Sequence, residues 1–412
     1  VYAVGYGGNG IYIVGNDNTI TDSHTYGHSD YSVYIYGNDN TIADAVVKGE
    51  GGVIIYGSRN LIYNSDVTGN NSDGVYVYGN RTAIRDSYVY GYGYGIYIYG
   101  SDNLIYGSDV TGNNSYGIYI YGSDNTTIYG SRIVGYGGDG IAITGSHNNV
   151  TNSYVAGDDG SGIAITGSHN LIYDSNVTSE GGDSVYIYGS YNLIYGSTIV
   201  GHGGNGISIY GSYNTIRSTN ATGGWAGIYI NGSYNNIYRS TIAGGNGISI
   251  YGSYNNVTDS NATGRGHYGV YITGSNTTIY YSNITGRGAG IYIIGSHNLI
   301  YGSRVAGHGA GIVIYGTYSL IYHSDVTGNN SDGVYVSGFN NLIYGSTITG
   351  GSDGVDIYGL DNNVTDSYVT GGSDGIYIAG PGNTIYDSNV TGRGYYGVYI
   401  TGNDTAIVRS YV

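Results

Sequence analysis

The chain has no cysteine and no methionine, and one residue each of proline, tryptophan and phenylalanine. Lysine occurs once, at Lys48, and glutamate twice, at Glu50 and Glu180. Without cysteine there is no disulfide framework, thiolate zinc site or iron–sulfur cluster. With helix formers this scarce, and Ile, Val, Tyr and Thr abundant, the sequence predicts essentially no helix. A formal charge of −16 and no basic stripe exclude a nucleic-acid partner. No apolar run approaches the roughly 20 residues of a membrane-spanning helix. The chain opens at Val1, which says nothing either way about a leader.

Glycine is plentiful instead, at 79 of 412 residues, and tyrosine reaches 55. The glycines follow no G-X-Y period, so this is not collagen. Hydrophobic residues make up 40% and are placed too regularly for a disordered chain.

The regularity is clearest in Gly95–Val110, GIYIYGSDNLIYGSDV. With the opening glycine as phase zero, aliphatic residues fall at phases one, three, ten and fifteen. Ile96 and Ile98 alternate with Tyr97 and Tyr99, the period-two mark of a strand with one dry face. Nineteen such starts run from residue 10 to residue 397, and the eighteen intervals average 21.5 residues. Phase five is glycine every time, and phase zero is glycine except at Ser32 and Ser184.

A unit this short cannot bury its own inner face, so copies must stack. The expected fold is all-β: a right-handed parallel β-helix of about nineteen coils, each with three short strands. Strands are expected at phases one to four, nine to eleven and fourteen to sixteen, with glycine or serine at the corners. Phase eight is asparagine in fifteen coils, Asn125 among them, replaced by Thr82, Thr277, Ser319 and Thr405 in the others; after Asn125 the next aliphatic, Ile128, comes one residue late, an insertion within Asn125-Thr126-Thr127-Ile128. Inward asparagines there make either an amide ladder from coil to coil or separate Asx-turns. No linker interrupts the series, so residues 1–412 read as one uncapped solenoid domain.

VYAVGYGGNG at the start aligns with SRIVGYGGDG at 131–140, and Val412 falls at phase fifteen. Neither end shows a polar cap. Two explanations remain open: identical chains stacked head to tail, or a trimmed chain whose caps lie elsewhere.

Several candidate sites are legible. Asp332, Asp353 and Asp374 sit in equivalent turns of consecutive coils, a pattern that suits calcium between coils or a solvated turn preference. His147 and His169 share one phase on adjacent coils, a sparse metal pair. Tyrosine fills phase two in twelve coils and recurs at phase four. Tyr12, Tyr34, Tyr76, Tyr97, Tyr99, Tyr119, Tyr121, Tyr186 and Tyr229 mark an expected contact surface, for a second solenoid or for stacked sugar. Sixteen N-x-S/T sequons include Asn70, Asn113 and Asn329, which fits an exported glycoprotein.

Gly157-Asp158-Asp159 and Gly201-His202-Gly203 resemble two motifs of the polygalacturonase family. That resemblance implies aspartates that protonate a glycosidic oxygen and activate water. The sequence departs from the family in lacking its Asn-Thr-Asp and Arg-Ile-Lys motifs. Over its whole length, the pattern GIYIYGSDNLIYGSDVTG resembles the parallel β-helix repeat of carbohydrate-binding and sugar-hydrolase proteins. The tyrosine- and glycine-rich, cysteine-free character is also similar to surface-layer or sheath proteins of methanogenic archaea. Together these imply a structural extracellular protein at the cell surface. It would polymerise with itself into a filament, hoop or sheath, with no cofactor and no catalysis. The alternative is a β-helix that binds or cleaves polysaccharide, and cell-surface polysaccharide is the second expected partner.

Overall fold

The computed structural model describes all residues, 1–412, and contains strands and turns but no helix. It falls into two compact units, Val1–Ser208 and Ile209–Val412. Both are parallel β-solenoids built from the same coil.

In the first unit the coil at Gly95 shows the scheme. Its strands are Ile96–Tyr99, Leu104–Tyr106 and Asp109–Gly112. The third extends through the glycine expected to be a corner. Each strand pairs in parallel, phase for phase, with its equivalent in the next coil. Thus Ile96 faces Ile118, Ile105 faces Ile128 and Val110 faces Ile133. A parallel stack in register puts identical side chains above one another, so an aliphatic phase becomes an aliphatic column. Ile96, Ile98, Ile105 and Val110 are at most 1% exposed. Near the start two strands run long, His24–Tyr36 and Val46–Tyr56, carrying the third strand of one coil straight into the first strand of the next.

In the second unit the same columns recur, for example Ile291 on Ile312 and Ile300 on Ile321. Its inner aliphatic residues are equally buried until the last coil, where Ile400 and Ile407 are exposed.

The phase-eight asparagines form the coil-to-coil ladder. The Oδ1 of Asn170 accepts the Asn148 backbone N–H at 2.9 Å and its Nδ2 at 3.2 Å. Asn148 Nδ2 also donates to the Ser123 carbonyl at 2.9 Å. The buried amide thereby finds partners for both its oxygen and its amino group. One coil differs from expectation. Thr126, not Asn125, occupies the ladder, because Thr126 N–H donates to Asn148 Oδ1 at 2.9 Å. The extra residue is taken up as a bulge at Gly122 (φ 64°). Ser123 then stands where other coils place their phase-five glycine, and its carbonyl oxygen underlies Gly145.

Threonine is a poor substitute in this ladder. The buried hydroxyls of Thr82, Thr126, Thr277 and Thr405 have no hydrogen-bond partner. Thr277→Asn is therefore expected to stabilise the second unit by about 1 kcal/mol, read as a higher urea midpoint.

The phase-thirteen serines, expected only as turn residues, form a second ladder. The N–H of Ser65 donates to Ser87 Oγ at 3.1 Å, and Ser87 Oγ donates to the Arg85 carbonyl at 2.7 Å. Ser87, Ser108, Ser131 and Ser153 continue it at 3.2–3.3 Å. A hydroxyl both accepts and donates, so one small side chain satisfies two backbone groups of a tight corner.

Candidate functional site

Outward tyrosines divide into two rows. Those at phase two are half-buried: Tyr34, Tyr76, Tyr97, Tyr119, Tyr186 and Tyr229. Other tyrosines lean over them, as Tyr94 does, edge-on to Tyr97 at 5.4 Å and stacked on Tyr119 at 5.6 Å. Tyr12, in the first coil, is 60% exposed. The phase-four row is exposed, with Tyr78, Tyr99 and Tyr121 at 40–48%. The tyrosines open to solvent therefore lie mainly along phase four.

Along either row the rings pack on one another. Tyr76 and Tyr97 stack at 4.8 Å, and Tyr78 and Tyr99 at 4.7 Å with planes 7° apart. Faces are consumed within the column, so edges and hydroxyls meet the solvent. Burial, then neighbouring tyrosines, push the Tyr97 hydroxyl above its ordinary pKa.

In the first unit the phase-four row borders an open trough of roughly 550 Å³, lined by Tyr36, Tyr56, Tyr78 and Tyr99 with Asn38, Ser58 and Asn80. Both asparagines spend their Oδ1 on the next coil. Asn38 accepts from Ser58 N–H at 2.8 Å, and Asn80 from Ser101 N–H at 2.7 Å. Their orientation is thus fixed, while their side-chain amino groups make no bond within the protein. A line of oriented donors beside aromatic edges suits a polar, chain-like ligand.

The second unit holds an acid cluster that differs from the expected one. Carboxylate oxygens of Asp332, Asp353 and Asp356 lie within 4.8 Å of one another. Asp374 is outside it. Its Oδ1 accepts the Tyr396 N–H at 2.9 Å, just as Asp353 Oδ1 accepts the Asp374 N–H at 2.9 Å and Asp332 Oδ1 the Asp353 N–H at 3.2 Å. The aspartates before the phase-zero glycines thus bond the next coil's backbone and are not merely solvated. Asp356 completes the cluster from phase two, where it replaces a tyrosine between Tyr335 and Tyr377. Tyr358 covers the gap, with its ring centre 5.7 Å from Tyr335 and 5.6 Å from Tyr377. Burial, then the charges of Asp332 and Asp353, push the Asp356 carboxyl up to about 7. The sequence carried a signal for it: Asp356 is the one charged residue among the nineteen at phase two.

The remaining candidates are not assembled into sites. His147 and His169 stack face to face at 5.1 Å, and Tyr191 continues the column at 5.2 Å. Ring nitrogens direct their lone pairs within the ring plane, so parallel rings do not converge on one ion. Asp158 and His202 are separated by a coil that places Glu180 between them, and His202 Nδ1 meets Glu180 Oε1 at 2.9 Å. Both partners of that pair are more than half exposed, the setting of a solvated surface pair.

Three overlapping segments, residues 51–192, 183–324 and 310–412, match the family model described as right handed beta helix region. The chain belongs to the right-handed β-helix family.

No curated protein matches this β-helix. Among solved structures it is similar to the Azotobacter vinelandii mannuronan C-5 epimerase A-module, with 13% identity, 92% of this chain and 87% of that chain covered, and a TM-score of 0.34. It is also similar to a periplasmic alginate epimerase, AlgG, at 10% identity, 87% and 77% coverage and a TM-score of 0.28. The tailspike protein of E. coli bacteriophage HK620, solved in complex with a pentasaccharide, gives 11%, 95%, 71% and 0.32. None of these scores speaks to a site, and the likeness to archaeal sheath proteins gains nothing from them. In the β-helix the sequon residues Asn70 and Asn329 are exposed and Asn113 is half-buried, all in the turn after the third strand. No helix is long and apolar enough to cross a membrane.

Proposed function

We propose that this β-helix binds an extended polysaccharide along the trough of its first unit. The observation that carries the reading is the trough itself: exposed tyrosine edges beside asparagine amino groups held in place but unspent. Each of the four coils supplies a tyrosine and two of them an asparagine amino group, so a polymer gains contacts along its length. Such summed contacts give avidity without a deep pocket. On this reading the protein works outside the cell or at its surface, where such polymers lie.

Affinity electrophoresis in gels cast with neutral or acidic polysaccharide tests it. The protein is expected to be retarded by at least one class, and Tyr78→Ala/Tyr99→Ala to lose at least tenfold of that retardation. Unretarded migration in every gel, or equal retardation of the variant, rejects the trough as the site.

The same exposed row supports a second reading, lateral packing on another copy into a filament or sheath, because tyrosine joins an apolar body to a polar tip. Light scattering without polysaccharide separates the two: growth of large particles that the double variant abolishes favours self-assembly.

A further inference from the structure

We infer that Asp332, Asp353 and Asp356 form a binding site for one divalent cation, of the calcium type. Three carboxylates offer oxygens within 4.8 Å of one another. Three oxygens at that limit surround a point about 2.8 Å from each, so a small side-chain movement brings all three within the calcium–oxygen range of about 2.3–2.6 Å of one ion.

The second observation is independent of the clustering. Asp356 is only 8% exposed, and its buried Oδ1 has no hydrogen-bond partner. A buried carboxylate oxygen with no donor is costly, and proteins ordinarily satisfy such an atom or place a cation on it. No lysine, arginine or histidine does so here, since the ion pairs of the chain involve other acids. The backbone holds the other two ligands in place. Asp332 Oδ1 is anchored by the Asp353 N–H at 3.2 Å and Asp353 Oδ1 by the Asp374 N–H at 2.9 Å. Asp332 Oδ2 accepts only a long bond from Ser331 Oγ in its own turn, at 3.5 Å, and Asp353 Oδ2 bonds no other coil, so each carboxylate has an oxygen to offer an ion. The ion would bridge two coils at a corner and cancel the repulsion among three like charges. Calcium fits better than magnesium, which demands near-ideal octahedral geometry at about 2.0–2.1 Å.

The site is separate from the trough, so its test stands apart from polysaccharide binding. Calcium chloride titrated calorimetrically into metal-free protein should show one saturable site per chain, with magnesium chloride binding at least tenfold more weakly. Terbium provides an optical reading, since Tyr335, Tyr358 and Tyr377 surround Asp356 and would sensitise its emission. Asp356→Asn should lower calcium affinity at least tenfold, whereas Asp374→Asn should leave it unchanged. Asp356→Tyr, which restores the residue of the neighbouring coils, should fold and bind no ion. No saturable calcium binding up to about 1 mM, the weak end for calcium modules, overturns the assignment. So does equal binding by wild type and by a folded Asp356→Asn or Asp356→Tyr.

Discussion

Gly359→Ala is expected to destabilise the second unit by more than about 4 kcal/mol and to leave much of the protein unfolded when expressed. The reason is contact rather than flexibility. A Cβ built on Gly359 would overlap the carbonyl oxygen of Gly338, the equivalent residue one coil earlier. That oxygen belongs to backbone and cannot swing aside. It also accepts the Asn362 side chain at 3.0 Å, so moving it strains the asparagine ladder too. In a stacked repeat each coil is held by its neighbours, and a corner that cannot close loosens both sides. Gly130 supplies the control. It has φ 60° but open space around it. Gly130→Ala should cost only about 1–2 kcal/mol, the ordinary penalty of a left-handed residue. Gly130→Asn should cost still less, because Asn64 and Asn152 already adopt that conformation at equivalent corners. Urea unfolding of the three variants checks the order. Equal losses for Gly359→Ala and Gly130→Ala would falsify the contact argument.

The second large effect is alkaline unfolding of the first unit. Tyrosine ionises near pH 10.0 in the unfolded chain, whereas burial pushes Tyr31 up to about 12. Burial also raises Tyr34, Tyr76, Tyr97 and Tyr119, with neighbouring tyrosines adding to it. Below pH 10 neither state ionises, and the folded state keeps the whole contribution. As pH climbs from 10 towards 12, the unfolded chain sheds protons that the folded chain retains. Stability therefore falls with rising pH across that window. Summed over the rows and reduced for solvent screening, the loss is on the order of a few kcal/mol. Tyrosinate absorbance and the β-sheet circular dichroism signal should change together in one steep step. A gradual titration centred on pH 10 with the dichroism intact would mean that the rows hold no excess protons.

The coil was legible because its rules are local. Ile96 and Ile98 had to share a face since strands alternate, and a conserved phase had to stack on itself since the chain lacks any other way to bury a thin layer. The same count placed an asparagine at one corner of most coils, and the hydrogen bonds between coils decided for the ladder over separate Asx-turns. Where the count slipped by one residue, at Gly122-Ser123, it mistook Asn125 for the ladder residue. The late Ile128 shows in the sequence that this coil holds one extra residue, and only the hydrogen-bond partners reveal that it sits at Gly122 and that the register resumes by Thr126.

The sites depended on distances that phase numbers do not carry. Asp332, Asp353 and Asp374 share a phase, so sequence grouped them along the stack. The fold instead brings Asp356 across the corner, three residues after Asp353, because a short strand start turns the phase-two side chain beside the aspartate of the preceding turn. Glu180 entered between Asp158 and His202 for a similar reason: stacking aligns turns that look unrelated in sequence. Phase assigned every outward tyrosine the same exposure, yet residues such as Tyr94, projecting from a different corner, cover one row and leave the other open.

By itself, then, the sequence determined an all-β stack of equivalent coils, which residues face inward, and which asparagines recur at one corner. It could do so because each of those features repeats with the coil and needs only neighbours along the chain or one coil away. Tertiary structure decided which tyrosines meet solvent, which acids converge and which corners tolerate a side chain. Those outcomes turn on separations of a few ångströms between different phases, set by how the corners fold back on one another.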